Sequence, residues 1–183
     1  MAHVHDTLSC ASCGGVAAHS VGRRGFLAGA AGALFAARPG VGFAAGGKYE
    51  AMILGCIDPR LQEPMRGFAV THGLVGQYSK FAIAGAAIGV VAPAFAAWHK
   101  AFWDNLAASI EFHQIETVIA IDHRDCSAAK IAYGDASIAT PEAENGTHRA
   151  ALAEFRRQVV ELQPTLRIET LLMGLDGSVA VFT

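Results

Sequence analysis

Two short motifs hold the residues of this chain that best suit metal chemistry. They are Cys56-Ile57-Asp58-Pro59-Arg60 and His123-Arg124-Asp125-Cys126. Each follows a short apolar run, over residues 51–55 and 117–121, that is typical of a buried strand. Two thiolates and one imidazole can bind zinc and leave a fourth coordination position open, as catalytic zinc sites do. The sequence therefore predicts that Cys56, His123 and Cys126 bind Zn²⁺.

A carboxylate and a guanidinium stand beside the first predicted ligand. Asp58 could accept a hydrogen bond from a zinc-bound hydroxide and orient it, while Arg60 pairs with Asp58 and keeps it off the metal. In isolation, two such residues are more often a simple ion pair that caps the next segment. The neighbouring Cys56 favours the catalytic interpretation, so we predict Asp58 and Arg60 as catalytic residues.

In this order and at strand ends, the two motifs resemble those of the β-class carbonic anhydrases, which carry Cys-x-Asp-x-Arg and later His-x-x-Cys. The resemblance runs from about Tyr49 to the C-terminus and is best over residues 109–112, 118–121 and 123–130. It implies a zinc lyase that reversibly hydrates carbon dioxide to bicarbonate, and a homodimer or dimer-built tetramer. It also implies that Asp58, if released by Arg60, can close the fourth position and inactivate the site.

The chain departs from this family beside the substrate pocket. The usual Arg-Asn-Ala-Gly-Asn stretch is Ala82-Ile83-Ala84-Gly85-Ala86 here, so the arginine and both asparagines are lost. Asp122 stands where a small residue usually precedes the histidine, and Ser127 replaces the usual glycine after the second cysteine. Two alternatives therefore stay open. One is a related zinc hydrolase acting on carbonyl sulfide or carbon disulfide, and the other is a zinc-binding protein without turnover.

The first 44 residues are typical of an export signal. Arg23-Arg24-Gly25-Phe26-Leu27 resembles a twin-arginine signal, and the apolar run over residues 26–37 is too short to span a bilayer comfortably. Residues 42–44 offer a small-x-small cleavage site, although an amphipathic N-terminal helix is an alternative. We predict an export signal over residues 1–44, a zinc domain over residues 45–183, and a periplasmic or otherwise exported protein.

The cysteines and histidines divide between these two parts. Cys10 and Cys13 lie before the arginine pair and should leave with the signal, although their spacing could also bind metal. In an oxidising compartment a disulfide between Cys56 and Cys126 is the simple alternative to zinc, and the neighbouring His123 favours zinc. Four further histidines lack comparable neighbours and are interpreted as structural or solvent-facing: His72, His99, His113 and His148.

Composition narrows the function classes. Hydrophobic residues make up 52% of the chain, enough to bury a sizeable core in one domain. The formal net charge of −2 and the lack of Lys/Arg clusters argue against a nucleic-acid partner. The apolar stretch over residues 81–97 contains Gly85, Gly89 and Pro93, so we interpret it as a strand, a turn and the start of a helix rather than a membrane span.

Strand and helix patterns alternate along the predicted zinc domain. They predict strands over residues 51–55, 79–84, 117–121, 166–173 and 178–182, and helices over residues 93–114, 127–133 and 147–162. A short helix or irregular segment is predicted over residues 61–68, and a loop over residues 141–146. This alternation is typical of an α/β fold with a mainly parallel central sheet flanked by helices. Both motifs lie at strand carboxyl ends, where such sheets bind ligands.

Overall fold

A computed structural model of the chain describes residues 47–182. The predicted export signal, its cleavage site, and Cys10 and Cys13 lie outside the described residues. These assignments, the domain boundary and the exported location therefore stay predictions.

Strands and helices alternate along the described residues as the sequence predicts. The strands are β1 (Ala51–Gly55), β2 (Tyr78–Ala82), β3 (Thr117–His123), β4 (Arg167–Met173) and β5 (Val179–Val181). The α-helices are α1 (Gln62–Thr71), α2 (Ala87–Val91), α3 (Ala96–His113), α4 (Ser127–Tyr133) and α5 (Pro141–Leu162). Short 3₁₀ turns occupy Pro59–Leu61, Pro93–Phe95 and Asp135–Ile138.

The strands form one sheet in the order β2-β1-β3-β4-β5. The first four strands are parallel, and β5 returns antiparallel to β4. The chain places β2 on one side of β1 and β3 on the other, so the strand order reverses between β1 and β3. The predicted α/β fold with a mainly parallel sheet is confirmed.

Both faces of the sheet are covered, which explains why β1 and residues 118–121 of β3 are apolar. Every residue of β1 and of β3 is buried. Ile53 and Ile121 belong to the core that contains the apolar residues of α1 and α4. Leu54 and Ala120 point into the core that contains those of α3 and α5. Strands buried on both faces hold their carboxyl ends rigidly, which suits a site built there.

Most predicted elements agree with the structure within a few residues, and β1 and α4 coincide with the predicted bounds. The loop predicted over residues 141–146 is wrong, because α5 already begins at Pro141. Thr140 caps the helix by accepting the Ala143 N–H at 3.2 Å, and proline suits the first helical position because its missing N–H is not needed there. The correction adds Glu144 to the same helix as His148.

The apolar stretch over residues 81–97 contains the end of β2, a turn and the start of α3, as predicted. Helix α2 and the 3₁₀ turn before α3 were not predicted. Gly85 and Ala86 have φ angles of 83° and 49°, so the turn uses the left-handed region twice. Among residues 47–182, no helix is both long enough and apolar enough to cross a membrane.

We expect Gly89→Ala to destabilise the protein, although alanine normally favours a helix. A Cβ at Gly89 would overlap the carbonyl oxygen of Ala84, so α2 would have to move away from the turn. The expected loss in free energy of unfolding is about 1–3 kcal/mol. Gly67 in α1 is the matched control, because a Cβ there has no neighbour within 4 Å. Gly67→Ala should stabilise by about 0.5–1 kcal/mol, and equal urea-denaturation results for the two variants would contradict the close approach of α2.

Candidate metal centre

The sheet brings the two sequence motifs to one edge. Cys56 directly follows β1, and His123 is the last residue of β3. The two strands are parallel with Gly55 opposite Ile121, so both carboxyl ends lie where the strand order reverses. Cys126 follows as the N-cap residue of α4. This is the position at which open α/β sheets bind ligands.

The three predicted ligands lie together. One ligand atom from each of Cys56, His123 and Cys126 lies within 4.8 Å of the other two. The residues are only 8%, 1% and 1% exposed, respectively. Both cysteines are free thiols, so the disulfide considered as an alternative is not formed in this structure.

The hydrogen bonding of His123 suits a metal ligand. Its Nδ1 donates to the carbonyl oxygen of Arg124 at 2.8 Å, with the proton assigned to that nitrogen because a carbonyl only accepts. The other ring nitrogen, Nε2, is buried and has no hydrogen-bond partner among residues 47–182. A buried nitrogen lone pair beside two sulfur atoms fits Zn²⁺, which binds imidazole nitrogen and thiolate sulfur.

Of the two neighbouring thiols, Cys56 is the one that ionises readily. The hydrogen bond with Cys126 lowers the pKa of Cys56, despite burial, while the same contact and burial raise the pKa of Cys126. Burial opposes the charge of His123, but the neighbouring Cys56 thiolate outweighs it and raises the pKa of His123. A divalent cation would stabilise this buried negative charge of Cys56.

The turn after β2 contacts the first thiol through its backbone. The N–H of Gly85 donates to Cys56 Sγ at 3.2 Å. A Cβ at Gly85 would lie 2.9 Å from the Cβ of Ala128, and the positive φ there also favours glycine. Close packing and the positive φ therefore explain why residue 85 is a glycine, although the asparagines of the Arg-Asn-Ala-Gly-Asn pattern are absent here.

Asp58 and Arg60 form the predicted ion pair. Asp58 Oδ1 accepts from the backbone N–H of Arg60 at 2.9 Å, and Oδ2 accepts from Arg60 Nη2 at 2.7 Å. The Arg60 hydrogen bond lowers the pKa of Asp58 to about 2. The carboxylate is therefore ionised at neutral pH and fixed in orientation. Its catalytic role stays a prediction.

Arg60 also joins the two motifs, which sequence reasoning missed. Its Nη1 donates to Asp125 Oδ2 at 2.8 Å, and its Nη2 donates to the Asp125 carbonyl oxygen at 3.1 Å. Asp125 has a φ of 55°, an unfavourable conformation for a residue with a side chain. The Arg60 guanidinium thus binds Asp58 in the first motif and also binds Asp125, the strained residue that precedes Cys126.

Three more polar residues support the second motif, and sequence reasoning gave none of them a functional role. His148, interpreted as structural or solvent-facing, is fully buried, and its Nδ1 lies 2.8 Å from Asp122 Oδ2. Glu144 accepts from the Asp125 N–H at 2.6 Å and from Arg124 Nη1 at 2.7 Å. The i, i+4 spacing of Glu144 and His148 was the available signal, but the predicted loop over residues 141–146 obscured it.

An apolar groove lies beside the first motif. It has a volume of about 390 Å³ and includes Ile57, directly after Cys56, and Ala84, directly before Gly85. Ile57 is 58% exposed and Trp98 is 39% exposed. The other lining residues are also apolar: Phe81, Ala82, Ile83, Ala97 and Ala101.

Two curated proteins of unassigned activity are similar in sequence. An uncharacterized protein of Rickettsia conorii is 32% identical over 128 residues, which cover 70% of this chain and 69% of that protein. An uncharacterized protein of Rickettsia bellii is 30% identical over 126 residues, which cover 69% of this chain and 77% of that protein. No family model matches the chain.

Several solved structures share the fold at low sequence identity. A carbonic anhydrase from Streptococcus mutans aligns with a TM-score of 0.50 and 15% identity, covering 76% of this chain and 84% of that one. One from Glaciozyma antarctica gives 0.50 and 16%, with coverage of 75% and 84%. The β-carbonic anhydrase CafD of Aspergillus fumigatus gives 0.50 and 10%, with coverage of 83% and 95%.

We expect Cys126→Ser to lose zinc. The purified wild type should hold about one zinc ion per chain, because three ligand atoms converge in a buried pocket. The variant should lose most of the metal and melt at a lower temperature, since metal binding is coupled to folding. Elemental analysis and thermal unfolding measure both effects. His72→Gln is the control, because His72 is exposed and packs on Phe68 away from the site; full zinc retention by Cys126→Ser would remove that residue from the site.

Proposed function

We propose that this chain, which belongs to one family with the two rickettsial proteins and has the fold of the β-carbonic anhydrases, hydrates carbon dioxide reversibly to bicarbonate. The observation that carries the proposal is the buried Cys56, His123 and Cys126 group beside an intact Asp58–Arg60 pair. A zinc ion held there would lower the pKa of a coordinated water toward neutrality. A site that only stored metal would not need an oriented carboxylate next to it.

The geometry of Asp58 suits an orienting acceptor. A carboxylate offers about four acceptor positions. Three donors of Arg60 contact Asp58: the backbone N–H at 2.9 Å, Nη2 at 2.7 Å, and Nε, which is shared between Oδ1 at 3.0 Å and Oδ2 at 3.2 Å. Three donors for about four positions leave room for one further hydrogen bond. The low pKa of Asp58, about 2, keeps it a pure acceptor at neutral pH. It can therefore take the hydrogen bond of the attacking water and direct the water's lone pair at the substrate.

The apolar groove supports a small uncharged substrate. Its lining of alanine, isoleucine and aromatic side chains offers no charged group to hold a larger polar molecule. Carbon dioxide is linear and carries no net charge, so it fits such a lining. Carbonyl sulfide and carbon disulfide share these properties.

We expect Asp58→Ala and Arg60→Ala to impair hydration in different ways. Asp58→Ala should retain zinc and lose about 10²–10⁴-fold in turnover, because the water loses its acceptor. Arg60→Ala should also retain zinc and lose turnover, because the released carboxylate can turn into the position that the water needs. The double variant should then be no slower than Asp58→Ala alone, as is typical of residues that act as one unit.

Stopped-flow hydration assays with parallel zinc analysis test this series. Arg66→Ala is a matched control, because Arg66 forms only a loose, exposed pair with Glu63 at 3.8 Å. Wild-type rates in Asp58→Ala would make Asp58 a structural residue. A zinc-loaded wild type that hydrates no carbon dioxide overturns the proposal; hydrolysis of carbonyl sulfide or carbon disulfide would then identify the variant hydrolase, and inactivity on all three the non-enzymatic alternative.

We also propose a homodimer, or a tetramer built from dimers, in which a second copy packs against the apolar groove and completes the substrate pocket there. The groove exposes Trp98 and Ile57 beside β2, which is an edge strand of the sheet. Exposed apolar surface of this kind commonly marks a protein interface. Residues 86–90, within the apolar stretch over residues 81–97, are buried in the chain and supply no such surface.

We expect Trp98→Glu to shift the protein toward monomers in light scattering at micromolar concentration. A charge in the centre of an apolar contact loses its water without gaining a partner. Phe112→Glu is the control on the same helix, because Phe112 is 54% exposed and lies outside the groove. A monomeric wild type would contradict the oligomer.

Finally, we propose that residues 1–44 direct export by the twin-arginine route, on the strength of Arg23-Arg24 before a short apolar run. Replacing both arginines with lysine should leave unprocessed protein in the cytoplasm. Mass spectrometry of the exported protein should find its first residue near position 45, and an intact N-terminus would contradict the signal.

A further inference from the structure

Helix α5 contacts residues 122–126, called the metal loop below, on both sides of His123. Glu144 and His148 are separated by one helical turn, which places them on one face of the helix. Glu144 is 8% exposed and His148 is fully buried. His148 contacts the residue directly before His123, and Glu144 contacts the two residues directly after it.

The contact before His123 reaches both strand ends. The Asp122 carboxylate is fully buried; its Oδ2 accepts from His148 Nδ1 at 2.8 Å, and its Oδ1 accepts from the Ala87 N–H at 2.9 Å. Ala87 begins α2, two residues after Gly85, whose N–H contacts Cys56 Sγ. Asp122 therefore ties the backbone that carries His123 to the turn that contacts the other strand's ligand.

The contact after His123 fixes the path of the loop to Cys126. Glu144 receives one hydrogen bond from the Asp125 backbone N–H and one from the Arg124 side chain. Asp125 is the residue with left-handed backbone, at φ 55°. A strained conformation persists only when its surroundings enforce it. Glu144 accepts from the Asp125 N–H, while Arg60 donates to the Asp125 carboxylate and carbonyl.

We propose that Glu144 and His148 are positioning residues that preorganise the metal loop and thereby raise its affinity for zinc. The inference rests on the zinc site of the proposed function and deepens it. Two acidic side chains are costly to bury unless their hydrogen bonds are satisfied. Glu144 is satisfied by Arg124 and Asp125. Asp122, the residue before His123, is satisfied by His148 and Ala87. Residues that orient metal ligands from outside typically contribute about 10–100-fold in metal affinity.

Zinc affinity, measured by competition with a chelator, tests the proposal without any assay of turnover. Glu144→Ala and His148→Ala should each bind zinc about 10–100-fold more weakly than the wild type. Leu152→Ala is the matched control, because Leu152 lies one turn further along α5, is 1% exposed, and packs in the apolar core with Phe155 instead of the loop. It should melt at a lower temperature but bind zinc with wild-type affinity.

Milder variants keep the test informative if the alanine variants fold poorly. His148→Asn can keep a donor where Nδ1 stands, and it loses nothing at Nε2, which has no partner among the described residues. It should therefore retain most of the affinity. Glu144→Gln keeps one acceptor for two donors and should fall between wild type and alanine. The Co²⁺ forms of the weakened variants should show altered sulfur-to-cobalt absorption, because the ligands are less well fixed.

The outcomes separate this inference from the proposed function. If the wild type binds zinc tightly and Glu144→Ala and His148→Ala bind it equally tightly, the residues are structural and the inference is overturned. The same holds if Leu152→Ala loses as much affinity as they do. A folded wild type that binds no zinc overturns the metal site and this inference together.

Discussion

The parallel pairing of β1 with β3 is the constraint on which the rest of the site depends. It places Gly55 opposite Ile121, so Cys56 emerges beside the strand that ends in His123. β3 continues to His123 because its last residues still pair with β4, up to Met173. A slip of one residue would turn His123 to the opposite face of the sheet. Since both faces are packed with apolar side chains, the register is strongly fixed. The positions of the turns and helices that follow these strands, and of the ligands they support, are therefore fixed as well.

Around this fixed edge, the chain gathers more negative charge than an ordinary sheet end would tolerate. Four carboxylates lie near the two cysteines: Asp58, Asp122, Asp125 and Glu144. The pKa of one of these cysteines, Cys56, is lowered. Each carboxylate accepts from at least one donor: Arg60 serves two, Arg124 another, and His148 the fourth. Arg60 and Arg124 offset much of the negative charge of Asp58, Asp125 and Glu144. The Cys56 thiolate is then the anionic group that a cation between the two sulfur atoms would pair with.

The bounds of strands and helices could mostly be predicted from the sequence, whereas contacts between residues far apart in the chain could not. The end of β1 at Gly55 follows from its apolar run, and the run over residues 117–121 locates the end of β3 to within two residues of His123. The bounds of α4 follow from its own pattern. The Arg60–Asp125 contact has no such signature, because 65 positions separate the two residues. The role of His148 depended on where α5 begins, and Pro141 and Gly146 resembled loop residues. Asp122 was noticed as a departure from the family, but its partners lie on α2 and α5 and could not be known from its neighbours.

Because the ligands are buried, the affinity for the metal and the rate of metal exchange depend on different features of the protein. Cys56, His123 and Cys126 are between 1% and 8% exposed, so an incoming ion or chelator has little access to them while the surrounding loop is closed. Opening breaks the charged hydrogen bonds of Arg60 and Glu144, so it belongs to the slow, partly unfolded excursions of the protein rather than to side-chain motion. Exchange would then be limited by the lifetime of the closed loop. A chain that folds with its ion already bound is filled at once, whereas one that folds empty waits for its own structure to open.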